Sequence, residues 1–497
     1  MLQSLPYDLL EQILRFLYND GASVGRLSLC SKSLHQQITT RTQLWKALIA
    51  YRWSTSSRYN GEVNADSDEG NDQEECPRRI YSRRHALDRR AKLVLYQMTA
   101  DLKQSLRIPE DAARIDGNRH VGQAWDHFMW KELLTMRGDA LDYLRQEARL
   151  VVGSEFPNDS TTLDIRLRSF LAARSLQTIQ FSECLYEWKA VQELHFAHHE
   201  EETVGGGRVN HAANALMLER YALLINEIQQ TPDQLILRPS INIKESVERR
   251  IDQLADGCLE RIRELEVGCP GGSLTILEQI EVVNEYLFHR EGFEGNSNDY
   301  YNFRNSLLEC VLDTKKGIPI TLAILYSCVC RRLNLRVHLV GLPGHLVLGF
   351  LTTRHPNEED AEVKFLDVFH KGELLTVHDC QHICASYGVP WEDKYLRPLP
   401  PNQVLQRILN NLANCHFHGL ATGHEAFHSD LFFHQRALAS IHRQPPAIAA
   451  PLVDRVTQEL PLTLSPDLLR FYGLLSPSRT RQQEQQENDE YQRTMSS

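Results

Sequence analysis

The sequence predicts an α+β fold made mostly of helices, with strands confined to one stretch of the second half. Apolar residues recur at three- and four-residue spacing over most of residues 78–235 and again from 243 to 266, which is typical of amphipathic helices. From Leu335 to Phe369 the pattern changes to short apolar runs separated by Gly and Pro, which indicates strands and turns. Helical spacing resumes from residue 402 to about residue 441.

Composition divides the chain of 497 residues into six expected segments. Residues 54–77 have almost no apolar side chains and many acidic ones, and residues 476–497 are rich in Gln, Glu, Arg and Ser, so both are expected to be disordered. The segments are a short helical module (1–53), an acidic linker (54–77), a helical region (78–242), an α+β domain with C-terminal helices (243–445), an extension (446–475) and a tail (476–497).

Charge and cysteine usage narrow the class of protein. The formal net charge of −11 argues against a general attraction to nucleic acid or to anionic membranes. Eleven cysteines at irregular spacing, with no signal-like N-terminus, favour reduced thiols in the cytoplasm, the nucleus or both, and no disulfide framework. The longest apolar stretches fall short of the ~20 residues that cross a bilayer, so no membrane span is expected.

The first fifty residues contain three short helical patterns. Such short helices bury few residues among themselves, so their Leu and Trp side chains either pack on the rest of the chain or anchor a partner. The segments LPYDLLEQILRFL, RLSLCSKSL and LWKAL occur in the order of an F-box, which residues 5–53 resemble. The resemblance implies docking onto the Skp-type adaptor of a Skp–cullin–F-box ubiquitin ligase. The implied adaptor contacts are Leu5, Pro6, Leu9, Leu10, Ile13, Leu14, Leu27 and Trp45.

A second group of residues falls in the α+β segment. The pattern predicts a helix through Leu312, then Lys316-Gly317-Ile318-Pro319, and a second helix that ends near Leu333. A following hairpin centred on Pro356 would place His345 opposite Asp367. A His–Asp pair beside a helix N-terminus is the arrangement of a Cys-His-Asp site, in which the nucleophile would lie in the first turn, near Pro319.

The same stretch resembles the SirB-type transglutaminase-like family in GFEGNSNDYYNFRNSLLECVLDTKKGIPITLAILY, RRLNLRVHLVGLPGHLVLGF and FLDVFHKGE. The resemblance covers residues 274–372, and the helices to about residue 443 look like the C-terminal part of that family. Together with the F-box it resembles F-box only proteins of the twenty-one type, whose relatives often end in a YccV-like domain that is not expected here.

The resemblance places the catalytic cysteine of the family on Pro319, which has no nucleophilic atom. It therefore implies that Pro319, His345 and Asp367 are vestigial triad positions in a pseudoenzyme that binds without catalysis. Of the nearby hydroxyl and thiol groups, Thr321 is interpreted as satisfying first-turn backbone groups and Cys310 as a buried structural thiol.

Two patterns suggest metal ligands. The segment from His424 to His428 matches HExxH, with Glu425 as a possible base, and His434 occupies the third-ligand position of a longer zinc-protease motif. Leu431 replaces the Gly at which that motif turns, so no metal site is expected. The group Cys380, His382 and Cys384 is interpreted as core.

The sequence thus predicts a non-catalytic substrate-recognition subunit of a Skp–cullin–F-box ligase, without a cofactor, that recruits target proteins for ubiquitination and degradation. Its expected partners are the Skp-type adaptor, the cullin core and an unidentified protein target, and neither nucleic acid nor a membrane. The alternative is an active cysteine- or zinc-dependent hydrolase or protease.

Overall fold

The fold is taken from a computed structural model, whose described residues form two compact units. One unit is drawn from residues 1–179, 232–240 and 460–497, and the other from residues 180–231 and 241–459. The described residues are 45–46, 49, 77–106, 124–125, 128–136, 138–150, 160–204, 211–228, 243–267, 272–353, 362–422, 438, 442, 451, 453, 462–463, 469 and 472–474.

The first unit is a helical bundle. Its elements are α1 (Pro77–Ser105), β1 (Ala124–Trp125), α2 (Phe128–Met136), α3 (Gly138–Arg149), residues 160–179 of α4 (Ser160–Val204) and β8 (Leu462–Thr463). Trp130, Leu144 and Phe170 are fully buried at its centre. Arg84, which lies in the basic run of α1, is also buried and pairs with Asp142 of α3 at 3.5 Å.

Trp45 lies in the core of this unit. Its side chain is only 5% exposed, and its ring centroid lies 5.3 Å from that of Tyr81 in α1. This burial disfavours a direct contact of the Trp45 ring with an adaptor, and that contact stays a prediction. The other seven implied contacts, Leu5, Pro6, Leu9, Leu10, Ile13, Leu14 and Leu27, lie outside the described residues, as do residues 54–76 and 476–497.

The second unit contains the α+β region. Its helices are residues 180–204 of α4, α5 (His211–Ile228), α6 (Ile243–Val267), α7 (Ile276–Asn284), α8 (Leu308–Thr314), α9 (Pro319–Arg332), α10 (Val377–Ser386) and α11 (Pro401–Thr422). Its strands are β2 (Glu294–Gly295), β3 (Lys316–Gly317), β4 (Val337–Val340), β5 (Val347–Leu351), β6 (Val363–Asp367) and β7 (Glu373–Leu375). The α+β prediction is confirmed.

Local sequence signals account for several helix boundaries. The predicted apolar stripe of α6 is confirmed, since Val247, Ile251, Leu254, Cys258 and Ile262 are all buried. The first turn of α7 carries a capping box in which Thr275 and Glu278 satisfy each other's backbone N–H groups. A π-helical turn, Glu285–Arg290, continues α7.

The predicted boundary at residue 242 differs from the division into units, because α5 packs with the α+β elements. Glu219 of α5 is 3% exposed in its side chain and accepts hydrogen bonds from two arginines at the end of α9. The Glu219 carboxylate lies 2.7 Å from Arg331 Nη2 and 2.8 Å from Arg332 Nη2. Arg332 also pairs with Asp252 of α6, so a single charge cluster joins three helices.

The sheet is antiparallel in the order β4-β5-β6-β7, and its register differs from the predicted hairpin. Leu348 pairs with Leu366, and Gly349 with Phe365. This register centres the hairpin on residue 357 instead of Pro356, and His345 precedes the first residue of β5. His345 and Asp367 are therefore not directly opposite each other on paired strands, and their side chains meet diagonally.

No helix among the described residues is both long and apolar enough to span a membrane.

Candidate functional site

The N-terminus of α9 lies at one wall of the site. Ile318 is the extended N-cap residue and Pro319 the first helical residue, where the missing proline N–H removes no helical hydrogen bond. The N–H groups of Thr321 and Leu322 both donate to the Ile318 carbonyl at 3.1 Å. In a catalytic site this helix end would favour a thiolate, but the side chain at its first position is a pyrrolidine ring.

Three polar side chains form a cluster beside this helix end. His345 Nε2 lies 2.7 Å from Asp367 Oδ2, and His370 Nδ1 lies 2.8 Å from the same oxygen. The other carboxylate oxygen, Oδ1, accepts the backbone N–H groups of Phe369 at 3.0 Å and His370 at 3.3 Å. The Asp367 carboxylate thus accepts four hydrogen bonds and fixes the ring of His345.

The environment of Asp367 favours its charged form. Burial acts to raise the pKa of this carboxyl group, but hydrogen bonds and charge interactions with His345 and His370 hold the pKa below its usual range. Because Nε2 of His345 faces Asp367, Nδ1 is the ring nitrogen left to face the other way.

A cavity of about 240 Å³ brings the predicted positions together. Pro319 and His345 both line it, with Ile320 from α9 and Arg407 from α11. Asp367 lies behind His345 and does not line the cavity. The structure therefore assembles the helix end, the histidine and its carboxylate, but the position expected for a nucleophile carries Pro319.

Neither nearby alternative nucleophile lines the cavity. Cys310 is buried in α8. Thr321 is 2% exposed, and its Oγ1 has no hydrogen-bond partner among the described residues. The interpretation that this hydroxyl satisfies first-turn backbone groups is wrong, because the N–H groups of Thr321 and Leu322 donate to the Ile318 carbonyl and the hydroxyl makes no hydrogen bond among the described residues.

The described cysteines are buried free thiols. Cys380 and Cys384 belong to the apolar core under the sheet, as predicted, whereas His382 is exposed. Burial raises the pKa of Cys380 to about 12 and that of Cys415, in α11, to about 11. Such thiols remain protonated near neutral pH and are poor nucleophiles and poor metal ligands.

His345, Asp367 and His370 are also the donor set of a possible metal site, since their ligand atoms lie within 4.8 Å of one another. Two ligands bound to one zinc ion at ~2.1 Å in tetrahedral geometry lie about 3.4 Å apart. The contacts of 2.7 and 2.8 Å to Asp367 are shorter and have the length of hydrogen bonds. The arrangement observed is thus a hydrogen-bonded cluster. The HExxH segment, His424, Glu425, His428 and His434, lies outside the described residues.

Sequence reasoning missed two residues of this site. His370 follows Asp367 by three residues in the turn after β6, a spacing that is visible in the sequence. Arg407 carries no such signal, because it lies 62 residues beyond His345, whose carbonyl it contacts.

Comparison with known proteins agrees with this geometry. Residues 245–410 match the model of the transglutaminase-like superfamily. This part of the chain is a transglutaminase-like domain. The match contains Pro319, His345, Asp367 and Arg407, and it extends beyond the resembling stretch noted in the sequence.

Relatives of the chain include both eukaryotic and bacterial proteins. F-box only protein 21 of Homo sapiens is 28% identical over 191 residues, which are 35% of this chain and 29% of that protein. F-box only protein 21 of Mus musculus is 33% identical over 140 residues, which are 27% of this chain and 21% of that protein. A UPF0162 protein of Xylella fastidiosa is 33% identical over 140 residues, which are 27% of this chain and 47% of that protein.

The resemblance to F-box only proteins and to SirB-type proteins is confirmed as homology. The chain spans less than a third of the F-box only proteins that it matches and less than half of the bacterial protein. No solved structure matches the chain.

Proposed function

We propose that this chain is the substrate-recognition subunit of a Skp–cullin–F-box ubiquitin ligase, and that its transglutaminase-like domain binds target proteins without catalysing a reaction. Homology to F-box only protein 21 supports the ligase role. The single observation that carries the binding role is Pro319, which stands at the helix end where an acyl-transfer enzyme needs its nucleophile.

The chemistry of the cavity supports binding over turnover. A histidine held by a carboxylate can withdraw a proton from a thiol or hydroxyl, but Pro319 has no such proton to give. His345 and Asp367 can still contribute to a binding site. A fully hydrogen-bonded polar cluster holds its side chains in one conformation and so fixes the surface that a ligand contacts.

The proposal assigns the remaining roles to partners. The F-box binds the Skp-type adaptor, the cullin core carries the ubiquitin-transfer machinery, and the bound protein target is ubiquitinated and degraded. The proposed location is the cytoplasm, the nucleus or both, and no cofactor is required.

Co-purification tests the ligase role. The double variant Leu10→Glu with Leu14→Glu places two carboxylates on the apolar face of the first predicted helix, so we expect loss of co-purification with the adaptor. The control is Lys46→Gln, an exposed position in the same module, which should co-purify normally. Circular dichroism of both variants checks that the rest of the chain stays folded. Unchanged adaptor recovery with the double variant would contradict the F-box assignment.

A further inference from the structure

Arg407 has an unusual environment for an arginine. It lies on α11 and lines the same cavity as Pro319 and His345. Its Nη1 donates a hydrogen bond to the backbone carbonyl of His345, at 3.4 Å. No carboxylate of the described residues lies within ion-pair distance of its guanidinium, whereas the described arginines at the end of α9 share Glu219.

Burial of this charge is unfavourable in the protein as it stands. Desolvation lowers the pKa of Arg407, and no acidic group within the described ranges offsets it. A partly desolvated cation without an anionic partner does not stabilise the protein, and such a group in a cavity is a candidate for binding an anionic ligand.

The backbone makes room for the guanidinium. A Cβ atom on Gly341 would lie 2.9 Å from Arg407 Nη2 and 2.7 Å from Leu399 Cδ1. The glycine therefore lets the guanidinium lie against the chain next to β4, at the wall of the cavity.

Neutral hydrogen-bond donors surround the same space. The side-chain oxygen of Asn410 accepts a hydrogen bond from Gln406 Nε2 at 2.9 Å, which leaves the Asn410 NH₂ group to donate. Asn411 also lines the cavity. Burial raises the pKa of Tyr300, so its hydroxyl stays protonated and able to donate near neutral pH.

We propose that this cavity binds a carboxylate of the target protein, with Arg407 as its ion-pair partner and Asn410, Asn411 and Tyr300 as neutral donors. The group is either the C-terminal carboxylate of the target or an Asp or Glu side chain. This inference rests on the proposed binding role of the domain, and it specifies which chemical group is recognised.

Size and charge both favour a carboxylate at the end of a short segment. The cavity volume of about 240 Å³ suits one side chain or chain end and is below the ~300 Å³ at which typical ligand pockets begin. One guanidinium balances one carboxylate, with which it can form a bidentate pair. A doubly charged phosphate would remain uncompensated near Asp367.

Small probes test the proposal on the full-length chain by saturation-transfer NMR. Acetyl-glycine offers a terminal carboxylate, and acetyl-glycinamide is its neutral control. Acetyl-glutamate methylamide offers a side-chain carboxylate, and acetyl-glutamine methylamide is its neutral control. We expect at least one carboxylate probe to bind with a Kd of roughly millimolar order, and both neutral probes to bind at least tenfold more weakly. Binding of one carboxylate probe over the other assigns the source.

Arg407→Met should weaken carboxylate binding at least tenfold, because it keeps the apolar stem but removes the charge. Arg407→Lys should retain part of the binding. The control Arg397→Met, at an exposed arginine outside the cavity, should bind as the wild type does.

Thermal unfolding distinguishes a binding role of Arg407 from a role in stabilising the fold. The melting temperature of Arg407→Met should be no lower than that of the wild type, since the substitution removes a desolvated charge without a partner. A lower melting temperature together with unchanged probe binding would overturn the proposal. So would equal binding of acid and amide probes, or tighter binding of inorganic phosphate than of either carboxylate. Adaptor co-purification, measured in parallel, tests the ligase role independently of Arg407.

Discussion

Asp367 holds His345, which lines the cavity, in place through a hydrogen bond. It is 3% exposed, and its carboxylate takes both imidazoles and two backbone N–H groups as partners. Replacing the carboxylate with an amide keeps the shape but removes the charge that the two histidines face.

The charge on Asp367 predicts how the stability of the folded protein depends on pH. The pKa of Asp367 is lower in the folded protein than the ~3.9 of an unfolded chain, so its stabilisation is fully present above about pH 4 and is lost as pH falls through the folded pKa. Asp367→Asn should be less stable than the wild type in urea denaturation at pH 7, and the difference should shrink below about pH 4. Asp256→Asn, at an exposed site of α6, is the control. A difference that stays constant from pH 7 to pH 3 would contradict the proposed role of the charge.

Single residues also show where sequence reasoning fails. Pro319 at the start of α9 follows from local rules, because a proline is tolerated in a first helical turn. Trp45 contacts the ring of Tyr81, which lies beyond a polar segment, and no local pattern links the two residues. Arg407 was missed for the same reason, because tertiary packing alone brings it to His345.

At the scale of elements, helices were predicted better than strand pairing. The stripe of α6 repeats a local pattern, and burial follows from it directly. The register of β5 and β6 depends on the length of the connection between residues 351 and 363, which the apolar pattern does not fix. The observed pairing is shifted by two residues from the predicted one. The predicted contact of His345 with Asp367 occurs despite that shift, because diagonal neighbours on a sheet are within reach of long side chains.

The charge cluster between α5, α6 and α9 supplies a prediction for these elements. Glu219→Ala leaves Arg331 and Arg332 without their shared carboxylate, so we expect a loss of roughly 3–5 kcal/mol in the free energy of unfolding. The control is Glu264→Ala, which removes an exposed pair with Arg261 and should change stability by less than ~1 kcal/mol. Chemical denaturation measures both. Equal small losses for the two variants would show that the cluster does not hold these helices together.

For the whole molecule, the central distinction is between a binding subunit and an enzyme. The transglutaminase-like domain has a helix end, a histidine and a carboxylate of the kinds that a cysteine-type site uses, and Pro319 stands at the position expected for the nucleophile. In the function we propose, this chain selects targets and its partners transfer ubiquitin; the homology to F-box only protein 21 covers less than a third of that protein.

Covalent trapping tests that distinction most directly. The full-length protein is treated with an electrophilic amide probe, and modified residues are located by mass spectrometry. Pro319→Cys is the positive control, since it introduces a thiol beside His345 and shows that the probe enters the cavity. The account predicts His345-dependent labelling at residue 319 of that variant, and no His345-dependent labelling of the wild type. Specific labelling of Thr321 or Cys310 in the wild type that disappears in His345→Ala would contradict it and would identify the domain as an active enzyme.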